Sequence, residues 1–254
     1  MSKLYWKILG KGSKNIVLLH GWGLTSQVWN TIIPKILDKF RIYLVDLPGY
    51  GKNRDIVPTN IKSIADIIWE NAPKNSIWLG WSLGGLVASR IALDHPQEVI
   101  GLITVASSPY FVADNYGWPG ISKKVLFNFE YKLVNNFQRT AEQFLILQTL
   151  GTKTSRNDFI FLKNLILKQQ VPKIEILNLG LTLLRTEDLR DELKNLSIPF
   201  LRVYGYLDNL VPRKVSLLLD KLYPNSLSII MRNSAHAPFI SHPDEFCRYI
   251  YDYI

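Results

Sequence analysis

The sequence predicts an α/β fold: a mostly parallel sheet flanked by helices and interrupted by an inserted helical lid. Three observations predict it. Short apolar, β-branched runs recur along the chain, helix-patterned stretches separate them, and between about residues 110 and 197 the strand signal stops and only amphipathic helix remains.

The strand candidates come first in order. Ile16–His20, Ile42–Asp46, Ile77–Gly80 and Ile100–Val105 are continuously apolar over four to six residues, as strands buried on both faces are. Helical patterns near Val28–Lys39, Ile61–Asn71 and Leu83–His95 lie between them, which implies parallel neighbours with crossover helices. After Ser108 the rhythm breaks. Ser122–Leu150 carries Val125, Phe129, Leu133, Phe137, Phe144 and Leu147 at helical steps or small multiples of them, and Ser155–Gln169 and Lys173–Leu196 continue in kind. Alternation then resumes with a strand at Phe200–Tyr204, a helix near Arg213–Leu222, a strand at Leu227–Met231 and a closing helix from Pro243. One sheet with an insertion is simpler than two units, so a single domain over residues 1–254 is expected.

Composition bounds the function. Hydrophobic residues make up 47% and charged residues 20%, the balance of a folded globular chain rather than a disordered one. No run reaches the roughly 18 apolar residues of a membrane span, and the N-terminal residues lack the apolar core of a signal peptide. Cys247 is the only cysteine, which excludes an intrachain disulfide and a Cys-rich zinc site and fits a reducing cytoplasm. The net charge of +9 favours acidic partners without choosing among them. It is concentrated: residues 1–14 carry four lysines and no acid, and residues 120–175 carry nine basic against four acidic residues.

Gly80-Trp81-Ser82-Leu83-Gly84 has the G-x-S-x-G pattern, directly after a buried strand and opening a helix. Glycines there permit a sharp turn that lifts the serine hydroxyl above the sheet edge. A serine hydroxyl is a weak nucleophile and needs a base beside it and a third group to orient that base. With a serine on such a turn, the acid and then the histidine follow later in the chain. Asp208 lies just past the strand ending at Tyr204, and His236 just past the strand ending at Met231, so both are expected at the sheet edge that carries Ser82. Of the four histidines, His95 reads as a charge at a helix C-terminus, His242 as a surface capping position, and His20 as part of a turn, which leaves His236 as the base.

That turn is His20-Gly21-Trp22-Gly23, after the first long buried strand. Acyl transfer develops an oxyanion that needs two fixed donors, expected here as the backbone N–H groups of Leu83 and Trp22. Gly49-Tyr50-Gly51-Lys52-Asn53 lacks the spacing of a phosphate loop, so no nucleotide or other cofactor is assigned, and no His or acid spacing suggests a metal.

These residues resemble the α/β-hydrolase superfamily, through His20-Gly21-Trp22-Gly23, Asp46-Leu47-Pro48-Gly49-Tyr50-Gly51, Gly80-Trp81-Ser82-Leu83-Gly84-Gly85 and the acid and histidine turns. Within it the chain is similar to the carboxylesterases of biotin synthesis that act on a pimeloyl-[acyl-carrier protein] methyl ester. The narrower likeness rests on Ala106-Ser107-Ser108-Pro109, Phe137-Gln138-Arg139-Thr140, Phe144 to Gly151, and His236-Ala237-Pro238-Phe239-Ile240-Ser241-His242-Pro243. The resemblance implies that Phe144, Leu145, Ile146, Leu147 and Gln148 line the substrate channel together with Trp22, Ser82, Leu83 and His236. It further implies that Arg139 and Arg156 receive an acidic acyl-carrier protein, with nucleic acid and membrane not expected as partners. Gln143 and Ile160 stand where arginines are expected, and Ala235 stands where a glycine usually precedes the histidine. Another small carboxylesterase or C–C hydrolase of the same fold is the rival reading, since fold does not determine substrate. A non-catalytic ligand receptor is the rival of a different class.

Overall fold

The computed structural model describes residues 4–135 and 137–253. Among these, seven strands form one sheet: β1 (Trp6–Leu9), β2 (Lys14–Leu19), β3 (Phe40–Val45), β4 (Ser76–Trp81), β5 (Val99–Val105), β6 (Phe200–Gly205) and β7 (Leu227–Met231), in the spatial order β1-β3-β2-β4-β5-β6-β7. Only β1 runs antiparallel to its neighbour; every other pairing is parallel. The inner strands are the apolar runs of the sequence, and β4 and β6 are buried at every residue. β1 was not legible: it is a four-residue edge strand with two exposed residues, so it carries neither a long apolar run nor a buried alternation.

Helices cover both faces. On one, α2 (Ile61–Trp69) and α3 (Leu83–Asp94) bury Ile61, Ile64, Leu86 and Val87 in one apolar cluster with α8 (Lys214–Leu222). Asn60 starts α2 with a capping box, its side chain accepting from the Ser63 N–H while Ser63 bonds back to the Asn60 backbone. On the other face, α1 (Ile33–Ile36) and α10 (Pro243–Tyr253) bury Ile33, Ile36, Phe246 and Ile250 in a second cluster. The helix expected over Val28–Lys39 is instead a 3-10 segment at Ser26–Thr31 followed by the single turn of α1. Pro34 is the reason, because proline lacks the N–H a continuous helix would need and crowds the preceding turn.

Between β5 and β6 the described residues form helices and no strand: α4 (Lys123–Asn135), α5 (Phe137–Thr149), α6 (Ser155–Lys168) and α7 (Ile174–Thr186). The helical pattern expected over Ser122–Leu150 is met by helix over Lys123–Asn135 and Phe137–Thr149, and position 136 is outside the described residues. The helix expected over Lys173–Leu196 stops at Thr186 and is followed by a 3-10 turn at Glu192–Asn195. This insertion joins both cores. Phe144 of α5 and Leu177 of α7 belong to the first cluster, whereas Leu145 of α5 and Leu162 of α6 belong to the second. The lid is therefore seated across the sheet edge by apolar burial on both sides, each fully buried leucine contributing about 1.5–3 kcal/mol.

The register sets the site. Leu19 pairs with Gly80, Trp81 with Val105, Val105 with Val203, and Gly205 with Met231, so the loops that follow β2, β4, β6 and β7 all open on one edge. That is the carboxyl edge, where open parallel sheets carry ligands.

Candidate active site

Ser82 sits between β4 and α3 with φ 55° and ψ −119°, a left-handed conformation that costs a non-glycine residue about 1–3 kcal/mol. The surrounding backbone holds it there. The Ser82 N–H donates to the Val105 carbonyl at 2.9 Å, and the Ser82 carbonyl accepts from the Gly85 N–H at 2.9 Å and the Ser107 hydroxyl at 2.8 Å. The flanking glycines are required by space. A Cβ on Gly80 would lie 2.2 Å from the Gly84 carbonyl oxygen, and one on Gly84 2.5 Å from the carbonyl oxygens of Leu19 and His20. The turn is tight because strand, helix and neighbouring loop meet there backbone to backbone.

Three buried side chains meet at this turn. His236 Nε2 is 3.0 Å from Ser82 Oγ, and His236 Nδ1 is 2.8 Å from Asp208 Oδ2. The other carboxylate oxygen of Asp208 accepts from the backbone N–H groups of Leu210 at 2.8 Å and Val211 at 3.0 Å, which fixes the orientation of the carboxylate. The acid and histidine loops are zipped together, Leu207 N–H donating to the Ser234 carbonyl at 3.0 Å. A Cβ on Gly205 would lie 1.9 Å from the Ala235 carbonyl, so the close approach is met by glycine at 205, and Ala235 is not among the residues at positive φ. An ionised carboxylate only accepts, so Nδ1 carries the proton and Nε2 is free to accept the Ser82 proton. A hydroxyl, an imidazole and a carboxylate thus stand in one hydrogen-bonded row, the arrangement that acyl transfer needs.

Leu83 is the first residue of α3, so its backbone N–H has no intrahelical acceptor and lies beside the serine. Trp22 is buried in the loop after β2, and its indole N–H is committed to the Leu177 carbonyl of α7 at 2.8 Å, which leaves the backbone N–H as its candidate donor. His20 is wholly buried. Its Nδ1 bonds the Gly21 carbonyl at 2.8 Å and its Nε2 accepts the Leu47 N–H at 2.9 Å. Burial pushes its pKa below the ordinary 6.5, against the pull of Asp46, so it stays neutral.

The lid residues divide. Phe144 is buried edge-on to Trp22 at 5.0 Å and to Phe129 at 5.5 Å, forming an aromatic wall beside the loop. Gln148 is 2% exposed, and its side-chain Oε1 has no partner among the described residues. Leu147 is partly buried against the same cluster, while Leu145 packs into the other one. Ile146 is 47% exposed, unlike its neighbours Leu145 and Leu147, as expected when five consecutive helical residues turn through more than a full circle. Arg139 on α5 and Arg156 on α6 are both exposed, and the two helices are bridged by Lys163 and Glu142 at 3.0 Å. Gln143 is half-buried and Ile160 is 46% exposed. His95 departs from expectation. Its ring stacks on Trp69 at 3.9 Å, and its pKa is lowered, by burial first, so it is less a helix-end charge than a neutral ring.

Two ties were invisible in the sequence. The indole N–H of Trp81, immediately before the serine, donates to the His236 carbonyl at 2.7 Å, and the His236 N–H donates to the Gln148 carbonyl of α5 at 3.1 Å. The only local signal was a tryptophan in a buried strand, whose N–H must find an acceptor somewhere. A separate groove of about 430 Å3, lined in part by Lys7, Thr25, Lys52 and Gln169, includes none of Ser82, Asp208 and His236. Among the described residues no group of three or more His, Cys, Asp or Glu could hold a metal ion, and no helix is long and apolar enough to cross a membrane.

Comparison with known proteins places this geometry. Residues 14–243 match the model of the alpha/beta hydrolase fold family. The chain is 59% identical over 247 residues to the pimeloyl-[acyl-carrier protein] methyl ester esterase of Proteus mirabilis, covering 97% of this chain and 94% of that protein. It is 57% identical over 246 residues to the protein of that name from Photorhabdus laumondii, with the same two coverages, and 52% identical to that of Yersinia enterocolitica over 100% of this chain and 98% of the other. Among solved structures, an esterase from Exiguobacterium antarcticum superposes with a TM-score of 0.87 at 22% identity, covering 98% of this chain and 94% of that one. A bromoperoxidase from Bacillus anthracis superposes with 0.85 at 18% identity, covering the same shares, so likeness at that level reports fold and not chemistry. The chain belongs to the α/β-hydrolase fold family and, within it, to the family of the pimeloyl-[acyl-carrier protein] methyl ester esterases.

Proposed function

We propose that this protein is a serine carboxylesterase that hydrolyses the methyl ester of a pimeloyl-[acyl-carrier protein], giving methanol and pimeloyl-[acyl-carrier protein] in biotin synthesis. The observation that carries the reading is the buried row Ser82, His236 and Asp208 in a chain 57 and 59% identical, over nearly its full length, to esterases of that name.

The chemistry follows from the geometry. Ser82 Oγ attacks the ester carbonyl carbon while His236 Nε2 takes its proton, and Asp208 stabilises the imidazolium through Nδ1–H. The carbonyl oxygen becomes an oxyanion held by the N–H groups of Leu83 and Trp22. The tetrahedral species collapses, the C–O bond to methanol breaks, and His236 returns the proton to the leaving methoxide oxygen. Water then attacks the acyl-enzyme, again deprotonated by His236, and the acid leaves with Ser82 restored. Trp22, Phe144 and Leu147 offer an apolar wall to the methylene chain, and the unpartnered Oε1 of Gln148 sits beside it as an acceptor.

The carrier would reach the site over the lid. Residues 120–175 hold nine basic and four acidic residues, so an acidic carrier is steered to that face, where Arg139 and Arg156 are exposed. A single buried cysteine and a carrier-bound substrate fit the cytoplasm.

The test compares hydrolysis of free and carrier-bound dicarboxylate monomethyl esters, with Ser82→Ala as the blank. Strong preference for the carrier-bound pimeloyl ester supports the reading. Equal turnover of short free esters would make the protein a general carboxylesterase, and failure of an organophosphonate to label Ser82 would make it a receptor instead.

A further inference from the structure

The oxyanion-side loop is held by the lid as well as by the core. Behind Trp22, the Gly21 carbonyl belongs to the same planar peptide as the Trp22 N–H, and His20 fixes it from the core. Ahead of Trp22 the polar tie comes from the lid. Gly23 has φ +75°, carries no side chain to brace the turn, and a Cβ there would meet nothing within 4 Å. Its carbonyl is tied by Gln169. The Gln169 side-chain Nε2 donates to the Gly23 carbonyl at 2.7 Å, across 146 positions of sequence. The amide orientation is forced, because a carbonyl oxygen can only accept. Gln169 Oε1 has no partner among the described residues, so this amide has one observed polar contact, the one to the loop. The residue caps the C-terminus of α6, its own N–H reaching the Ile166 carbonyl at 3.4 Å, so it moves with the lid. The lid grips the same loop again through the Trp22 indole on Leu177 and grips the histidine loop through the Gln148 carbonyl.

We infer that Gln169 is a positioning residue for the oxyanion-stabilising loop, aiming the Trp22 peptide from the lid so that lid seating sets turnover and not only substrate access. This rests on the esterase reading above. The site needs its donor aimed at the charge that develops in the transition state, and a loop free to rock loses that aim without losing ground-state binding.

The experiment uses Gln169→Met, which keeps length and removes the donor, Gln169→Glu, which turns a second acceptor toward the Gly23 carbonyl, and Gln169→Lys, which restores a donor on a long stem. Gln170→Ala is the neighbouring control. Each is assayed with a short-chain nitrophenyl ester and the carrier-bound methyl ester, and titrated with a trifluoromethyl ketone that forms a tetrahedral oxyanion on the serine. Direct loss of an oxyanion donor costs about a hundredfold or more, so misaiming one is expected to lower kcat about tenfold. Met and Glu should show that loss on both substrates, weaken the ketone in proportion, and leave KM within about twofold, while Lys recovers most of the rate and Gln170→Ala matches wild type. Unchanged kcat in both Met and Glu variants overturns the inference, as does a rise in KM alone or a fall in kcat with undiminished ketone affinity. Failure of wild type to hydrolyse any ester would be a different result, overturning the esterase reading and this inference together.

Discussion

Replacing Asp208 by asparagine tests the polarity of the triad-like row. The carboxylate has two committed ends: Oδ2 faces His236 Nδ1 at 2.8 Å, and Oδ1 accepts two backbone N–H groups at 2.8 and 3.0 Å. Asparagine has one oxygen and one NH2 to fill those places. With the oxygen on Leu210 and Val211, the NH2 points at Nδ1, which must then accept, and the ring proton moves to Nε2 facing Ser82 Oγ. That tautomer cannot take the serine proton. The flipped amide would keep the working tautomer but leave two buried N–H groups facing an NH2, at about 1–3 kcal/mol each. The wrong tautomer is therefore favoured by about 2–6 kcal/mol, which at 1.4 kcal/mol per decade leaves kcat lower by roughly thirtyfold to 10⁴-fold. A nitrophenyl ester assay at neutral pH reads it, with KM little changed because the substrate does not touch Asp208. Activity within threefold of wild type would refute the reasoning and send the search to another acid.

The remaining expectations are more direct. Ser82→Ala and His236→Ala should each lower kcat by several orders of magnitude, and the double variant should be little worse than either, since they act as one unit; losses that multiply would count against the assignment. Arg139→Glu with Arg156→Glu should raise KM for the carrier-bound ester at low salt and leave a small nitrophenyl ester unaffected; an unchanged KM at low salt would mean that these charges serve only solubility. Burial lowers the pKa of His20, so on acidification the unfolded chain takes up its proton first, near the ordinary 6.5, and the stability His20 contributes is lost as pH falls toward its depressed folded value. Thermal melts from pH 7.5 to 5 should therefore fall less steeply in His20→Asn than in wild type, and parallel curves would disprove the linkage.

Much of this protein was legible in its sequence because the signals are local. The inner strands β2 to β6 are mostly apolar runs, since a strand buried on both faces admits a polar residue only where it finds a partner, as Arg202 of β6 does in Asp220. The Ser82 turn was legible because both of its glycines lie within five residues of sequence, although only Gly80 answers to a local clash, with the Gly84 carbonyl, and Gly84 answers to the distant backbone of Leu19 and His20. Asp208 and His236 followed from chain order, each one turn past a recognisable strand. Where the local signal was weak, the reading failed. The edge strand β1 is short and half exposed, and Pro34 divides what looked like one helix.

What only the tertiary structure decided are the contacts that hold the chemistry in place. Trp81 reaches the His236 carbonyl over 155 positions, Gln169 reaches Gly23 over 146, and Trp22 reaches Leu177 over 155. A backbone carbonyl has the same chemistry at every residue, so nothing in the sequence marks which one will receive a distant donor. That choice is made by packing, when two apolar clusters seat the lid across the sheet edge and bring each donor within 3 Å of its carbonyl.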